Sequence, residues 1–173
     1  MRDLREKVKD ERTFLKKIEL AIPGFRGYRK REDLRIADSM LRDYIANKLQ
    51  ESARYIQRVR EFLTENMALE DMNMIGKIMN RTNTFEERIR HAEQGYMGLV
   101  GDYRVDVDQL NNLYEFDLKL IEKSQNILEY AKKMATSQNL NEVRTMMKEL
   151  WSMLESLEDL FEKRRNSMLE VFE

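Results

Sequence analysis

The chain has no cysteine, one proline, six glycines and one histidine among its 173 residues. Without cysteine it can form neither a disulfide nor a thiolate-bound metal site, and it has no thiol nucleophile. No apolar run approaches the roughly 20 residues that a bilayer-spanning helix needs. The charged segment at the N-terminus lacks the apolar core of a signal peptide. We therefore expect a cytoplasmic protein.

Because proline and glycine are scarce, few positions force a helix to stop. Hydrophobic residues make up 42% of the chain and charged residues 36%, a mixture typical of amphipathic helices. The length suits one domain with a real core. We predict an all-α fold, an elongated antiparallel up-down bundle of four long helices plus an N-terminal helix, in a single domain 1–173. The N-terminal helix, 1–22, packs as a fifth member or extends to a partner, and 31–173 forms the core bundle.

The first two helices are separated by the only proline. Pro23 ends the first helix by Ile22, because the residue before a proline is disfavoured in the helical conformation. The second helix is predicted from about residue 31 to 65, with Glu32 and Asp33 in its first turn, where they complement the helix dipole. Its apolar stripe comprises Leu34, Ala37, Leu41, Ile45, Leu49, Ala53, Ile56, Val59 and Leu63.

A third stripe keeps strict three- and four-residue spacing and comprises Ile75, Ile78, Thr82, Phe85, Ile89, Ala92, Tyr96 and Leu99. Thr84 and Glu87 resemble a capping box, which would place a break near residues 80–83. The unbroken register of the stripe favours a continuous helix instead. Glycines at 95, 98 and 101 are predicted to end it.

Asp106 and Gln109 resemble a capping box that starts the fourth helix. Its stripe is less apolar than the others, since Asp117 and Ser124 interrupt it; the full stripe is Leu110, Leu113, Asp117, Ile121, Ser124, Leu128, Ala131 and Ala135. This weak stripe predicts less complete burial than in the fifth helix.

Asn139 and Glu142 cap the fifth helix in the same way. Its heptad repeat is Leu140, Val143, Met147, Leu150, Leu154, Leu157, Phe161, Arg164, Met168 and Val171, interrupted only by Arg164. Spacing of 3.5 residues over about four heptads predicts coiled-coil packing with a left-handed supercoil.

The residue inventory argues against catalysis. A di-iron bundle needs Glu-x-x-His on two helices, but His91 is the only histidine and Arg88 stands three residues before it. A hydrolase triad lacks a placed nucleophile, and no phosphate-binding loop is present. We expect a non-enzymatic protein with no catalytic residues, no metal site and no cofactor.

The loop between the first two helices is the best candidate for a partner-binding site. It combines large aromatic residues with arginines that suit an anionic partner, and its candidate residues are Pro23, Gly24, Phe25, Arg26, Gly27, Tyr28, Arg29, Arg31 and Arg35. The alternative is a structural corner in which Phe25 and Tyr28 plug the end of the bundle. Both hypotheses stay open at this point.

The twelve methionines fill the core at most positions, but between Met67 and Met74 they cover more than one helix face. Methionine-rich faces also occur on adaptable binding surfaces, because the side chain repacks easily.

The loop and the helix after it contain the segment Ile22-Pro23-Gly24-Phe25-x-Gly27-Tyr28, followed by Arg31-Glu32-x-Leu34-Arg35-x-Ala37-Asp38-x-x-Leu41-Arg42. This segment of about 20 residues resembles a group of uncharacterised prokaryotic all-helical proteins. The resemblance implies no activity.

Charge is unevenly distributed along the chain. Residues 1–65 carry 17 Lys/Arg and 12 Asp/Glu, and residues 66–173 carry 14 and 20, giving net charges of +5 and −6. We expect an interaction or scaffold protein that binds a protein partner or itself, as an oligomer, through the loop 22–28 and apolar helix faces, above all the fifth helix. The alternative is peripheral binding to an anionic membrane or nucleic acid through the basic N-terminal third. Mutual neutralisation of the two halves would explain the asymmetry without any ligand.

Overall fold

A computed structural model describes residues 4–27, 31–92 and 107–172, with side chains described in 12–27, 35–92 and 110–167. All the regular structure in these ranges is helical, so the all-α class is confirmed. The helices are α1 (Leu4–Ala21), α2 (Arg31–Glu65), α3 (Met72–Arg90), α4 (Val107–Thr136) and α5 (Leu140–Phe172), and a single 3₁₀ turn spans Leu69–Asp71. Within the described residues, no helix is long and apolar enough to cross a membrane.

The chain forms two compact units. The first contains residues 1–44, 92–122 and 159–173, and the second contains 45–91 and 123–158. Helix α1 belongs to the first unit and α3 to the second, whereas α2, α4 and α5 contribute a segment to each. Each unit therefore packs its core from segments of four helices. The single-domain organisation stays a prediction.

Polar contacts between side chains give the directions of the helices inside the second unit. Asn47–Arg90 and Thr64–Met72 join α2 to α3, and Lys123–Ser156 and Tyr130–Glu149 join α4 to α5. Asp71–Arg144, just before α3, and Arg81–Glu158 connect this part of the chain to α5. In the pairs α2–α3 and α4–α5, residue numbers rise along one helix and fall along the other, so these pairs are antiparallel. In the pair α3–α5 both rise together, so these two helices run in the same direction.

Helix α3 differs from its predicted extent. It runs without a break from Met72 to Arg90, so the capping box at Thr84 and Glu87 does not start a new helix. However, α3 ends at Arg90, well before the predicted glycine stop, with Arg88 and Arg90 in its last turn, where basic side chains suit the dipole. The glycine cluster at 95–101 lies outside the described residues, as does the capping residue predicted at 106.

Helix α4 is more deeply buried than its stripe predicted. Beside the predicted line, four further large side chains are buried, namely Tyr114, Leu120, Ile127 and Met134. The prediction was wrong because it followed one side chain per turn, whereas a helix inside a bundle buries a face more than 100° wide. Asp117 and Ser124, which looked like weak points in the stripe, are fully buried as well.

Helix α5 begins as predicted. The Oδ1 atom of Asn139 accepts hydrogen bonds from the backbone N–H groups of Asn141 at 2.9 Å and Glu142 at 3.3 Å. Its heptad positions from Val143 to Phe161 are buried. This part of the seam is buried within the protein. Binding of a partner through apolar faces of the fifth helix stays a prediction.

Candidate interaction surfaces

The loop after α1 is a tight turn built from its proline and first glycine. The N–H of Phe25 donates to the carbonyl of Ile22 at 3.2 Å, Pro23 holds the second position of the turn, and Gly24 follows with φ of 88°. Proline at the second position and a positive φ at the third define a type II turn. The Pro-Gly pair is therefore explained by local backbone geometry.

Beyond this turn, the chain packs closely against its own unit. The Phe25 side chain is 1% exposed. Gly27 has φ of 79°, and a Cβ atom placed there would clash with the Tyr114 hydroxyl oxygen and lie 3.2 Å from a Leu15 methyl carbon. The burial of Phe25 agrees with the corner hypothesis, and Gly27 permits a contact with α4 that any side chain would obstruct.

The other candidate residues of this loop divide into exposed and undescribed ones. Pro23, Gly24 and Arg26 are exposed, and Arg35 is half-buried. Tyr28, Arg29 and the side chain of Arg31 lie outside the described residues. A docking role for this loop would accordingly depend on its rim and not on Phe25.

A buried network of charges lies in the same unit. Arg164 donates from Nε to Asp117 and from Nη1 to Asp38, both at 2.6 Å. Asp38 also accepts from Nε of Arg42 at 2.9 Å. All four residues are buried, and two aspartates balance two arginines. We call these residues the charge network; it joins α2, α4 and α5 within the first unit.

The sequence contained part of the signal for the charge network. Asp117 interrupts the apolar line of α4 and Arg164 that of α5, and opposite charges at two core positions suggest a pair. Asp38 and Arg42 stand four residues apart, a spacing that is usually a solvated surface pair, so their burial was missed.

A groove of about 320 Å³ in the second unit is lined by Asn80, Arg81, Thr84, Phe85, Arg88, Trp151 and Glu158. The Arg81 guanidinium lies 4.4 Å from the Trp151 ring centroid and donates to Glu158 at 2.7 Å and Glu155 at 3.0 Å. Burial lowers the pKa of Arg81, but the two carboxylates outweigh it and the pKa is raised. The arginine is engaged by side chains of α5, so it fastens α3 to α5 within this unit.

The most unusual backbone follows α2. The N–H of Met67 donates to the carbonyl of Thr64 at 3.1 Å, and the N–H of Ala68 donates to the carbonyl of Leu63 at 2.9 Å. These two bonds, with Ala68 and Leu63 both buried, form a Schellman motif. Its left-handed position is usually glycine, but here it is Met67, with φ of 51°.

This turn presents apolar side chains to solvent. Met67 is 84% exposed and Leu69 73% exposed, the largest exposures of large apolar residues in the described part of the chain apart from Leu20 at 78%. From residue 61 to residue 76 the sequence has four acidic residues and no lysine or arginine. We call Met67 and Leu69, with the exposed Glu65 and Glu70, the connector surface.

An ion-pair clamp holds the backbone of this turn. Arg144 of α5 donates from Nε to Asp71 at 2.9 Å and from Nη2 to Glu70 at 2.5 Å. The bond to Asp71 is the main cause that raises the pKa of Arg144, with Glu70 adding to it. The clamp fixes the 3₁₀ turn Leu69–Asp71 to α5, so Leu69 is exposed on an anchored segment.

A third exposed apolar residue, Leu20, lies near the end of α1. Leu20 stands three and four residues after Lys17 and Lys16, so the three side chains share one helix face, and both lysines are exposed. Arg26 is exposed in the loop that follows. We call Lys16, Lys17, Leu20 and Arg26 the α1 surface; it is apolar at one residue and basic around it.

The resolved shifts in pKa on α2 and α4 move groups away from neutral pH. Burial, and then the hydrogen bond that its hydroxyl donates to Glu149, raise the pKa of Tyr130 to about 12. Burial raises the pKa of Tyr44, and the bond to Glu51 raises that of Lys132. Near neutral pH these groups keep their protons, which suits them as hydrogen-bond donors and not as acids or bases in catalysis.

Comparison with protein-family models, curated proteins and solved structures gave no match. Among the side chains that the structure describes, in residues 12–27, 35–92 and 110–167, no group of three or more histidine, aspartate or glutamate side chains is arranged to hold a metal ion. The surfaces described above are therefore the features from which a function can be argued.

Proposed function

We propose that this protein is a non-enzymatic helical interaction protein that binds a protein partner, or a second copy of itself, through the connector surface. The rim of the loop 22–28 is a further contact region in this proposal. The underlying architecture is proposed to be an elongated up-down bundle, which the helix directions in the second unit support. The cytoplasm is the proposed location, because a chain without cysteine needs no oxidising compartment.

The single observation that carries the proposal is Met67. A residue with a side chain costs roughly 1–2 kcal/mol in the left-handed conformation, and glycine would avoid that cost. Because Met67 is exposed, its side chain adds no core packing that would offset this cost. Departures from local sequence rules without a structural benefit concentrate at functional sites. An exposed, adaptable methionine is well suited to contact an apolar surface on a partner.

The clamp at Arg144 adds a second argument. Binding is weakened when flexible groups must be ordered on association, and an anchored turn avoids much of that loss. Leu69 belongs to the turn that Arg144 fixes to α5 through Glu70 and Asp71. The connector surface is thus held in place before a partner binds. This anchoring supports a role in recognition more strongly than the exposure of apolar residues alone would.

The experiment is quantitative capture from native extract with the double variant Met67→Asn, Leu69→Asn. Asparagine tolerates the left-handed conformation, so the fold should persist, as circular dichroism would check. The matched control is Ile36→Asn, which removes another exposed apolar side chain on α2. We expect specifically captured proteins to be lost with the double variant and kept with the control. Identical capture by wild type and both variants would contradict the proposal.

The α1 surface supports a second candidate function, peripheral binding to an anionic surface. Lys16, Lys17 and Arg26 would attract lipid headgroups or phosphates, and Leu20 would insert beside them. Co-sedimentation with vesicles containing anionic lipid should then fall steeply as salt rises, and Lys16→Glu with Lys17→Glu should abolish it. Equal binding to neutral and anionic vesicles would exclude this mode, and a parallel assay with nucleic acid distinguishes the two anionic surfaces.

A further inference from the structure

We propose that the α1 surface of one copy docks on the connector surface of a second copy, so that the protein associates with itself through two unlike surfaces. This inference rests on the proposed function, because it names the partner of the connector surface. It uses the exposed residues of both surfaces and requires no change in the described fold.

Charge is the first argument for this pairing. The connector surface carries Glu65 and Glu70 beside Asp71, and Arg144 of α5 neutralises one of these three negative charges, so the surface keeps a net negative charge. The α1 surface carries Lys16, Lys17 and Arg26, all exposed. Opposite potentials on two surfaces steer encounter and fix orientation, whereas two copies of the same surface would repel each other.

Apolar matching is the second argument. Leu20 on the α1 surface and Met67 and Leu69 on the connector surface are the three large apolar residues with the highest exposure among the described ones. The exposed Glu19 leaves the α1 surface net basic, because Lys16, Lys17 and Arg26 outnumber it. Arg144, which pairs with Glu70 and Asp71, likewise leaves the connector surface net acidic. An apolar centre with a charged rim is the general arrangement of protein interfaces.

The geometry of association follows from the difference between the two surfaces. A contact between unlike surfaces either closes as a two-fold dimer, in which each copy uses both of its surfaces, or continues to a ring or an open chain. A helix face meeting a short turn buries less than the roughly 1,200–2,000 Å² of a stable complex. We therefore expect reversible association that depends on concentration and weakens as salt rises.

Complementation between two blocked variants tests the pairing. One variant carries Lys17→Glu and Leu20→Glu on α1; the other carries Met67→Asn and Leu69→Asn in the connector. Sedimentation velocity of the wild type should show mass that rises with concentration at low salt. Each blocked variant alone should stay monomeric, and their equimolar mixture should form a one-to-one dimer and stop there, because each partner contributes one intact surface.

Three results would overturn the inference: a monomeric wild type at low salt, undiminished association of either blocked variant, or a mixture that forms no dimer. If the mixture fails while the connector variant still loses its partners in extract, the proposed function stands and this pairing falls. Binding of monomeric wild type to anionic vesicles, lost with the α1 variant, would assign the α1 surface to a membrane instead. The Ile36→Asn variant, blocked on neither surface, should associate like the wild type.

Discussion

The turns after α1 and after α2 meet the same requirement in different ways. Both end a helix and reverse the chain with a residue at positive φ. The first uses Gly24 after Pro23, the combination that a type II turn favours, and buries Phe25 just beyond it. The second places Met67 where glycine is usual and exposes both Met67 and Leu69.

This difference separates a turn that stabilises the fold, after α1, from a turn that is a candidate for binding a partner, after α2. The turn after α1 agrees with local backbone preferences, and its aromatic side chain adds to the core. The turn after α2 has well-formed backbone hydrogen bonds, but Met67 occupies a left-handed position that disfavours a side chain. The same turn exposes the apolar side chains of Met67 and Leu69 to water. A feature that lowers stability without improving packing calls for a reason outside the isolated chain.

The ion pairs of the two units also differ, in how deeply they are buried. Arg164 is buried between two aspartates in the first unit, whereas in the Arg144 clamp of the second unit Asp71 is buried but Glu70 is 73% exposed. A buried arginine that is removed leaves its partners charged and unpaired, but an exposed pair contributes little and is screened by salt.

The largest effect is expected from Arg164→Met. Asp38 and Asp117 would stay buried without their shared partner, which should lower the free energy of unfolding by about 3–5 kcal/mol. Urea titration measures this change. The neighbouring exposed Arg165→Met is the matched control and should change stability by less than about 0.5 kcal/mol. A loss for Arg164→Met no larger than for the control would mean that the charge network is not a structural unit.

Phe25→Ala comes next and separates the two hypotheses for the loop 22–28. A fully buried aromatic side chain should cost roughly 3–5 kcal/mol when truncated. The same titration checks it. Unchanged stability with loss of partner capture would instead make Phe25 a docking residue and would contradict its role as a corner.

A smaller loss of folding stability is expected from Gly27→Ala. The new Cβ atom adds left-handed strain and meets the Tyr114 hydroxyl, which together should cost about 2–4 kcal/mol. The double variant with Tyr114→Phe should recover part of the loss, because it removes the obstructing oxygen. Gly76→Ala, in open space within α3, is the control and should stabilise by about 0.5–1 kcal/mol. No recovery in the double variant would refute the close contact.

The smallest change in the free energy of unfolding is expected from Met67→Gly, and unlike the others it should be stabilising. Relief of left-handed strain exceeds the entropic cost of a new glycine, so the free energy of unfolding should rise by about 0.5–1 kcal/mol. Differential scanning calorimetry should show a slightly higher melting temperature. A clear loss of stability would mean that Met67 packs usefully after all, and the contrast between the two turns would disappear.

Much of the fold could be predicted from periodicity and end signals. Pro23 and the Asn139 cap fixed the end of one helix and the start of another, because these signals act within a few residues. The width of the buried face on α4 could not be read from one stripe, since it depends on how many neighbours the helix has.

The candidate surfaces were harder to predict. The aromatic and basic composition of the loop 22–28 drew attention, but composition does not reveal that Phe25 points inward. The methionines at 67–74 indicate an adaptable surface, yet nothing local indicates that Met67 adopts a left-handed conformation, because that conformation follows from where α2 stops. The charge network joins residues far apart in sequence and needed the tertiary fold.

The most direct measurement is photo-crosslinking from position 67 in the cells that make the protein. A benzophenone amino acid replaces Met67 in one variant and the exposed Lys148 of α5 in a control variant. Our account predicts discrete protein adducts from position 67, with either another protein or a second copy, that the control does not give. Absence of adducts at position 67, or the same adducts from both positions, would contradict the claim that the connector surface binds a partner.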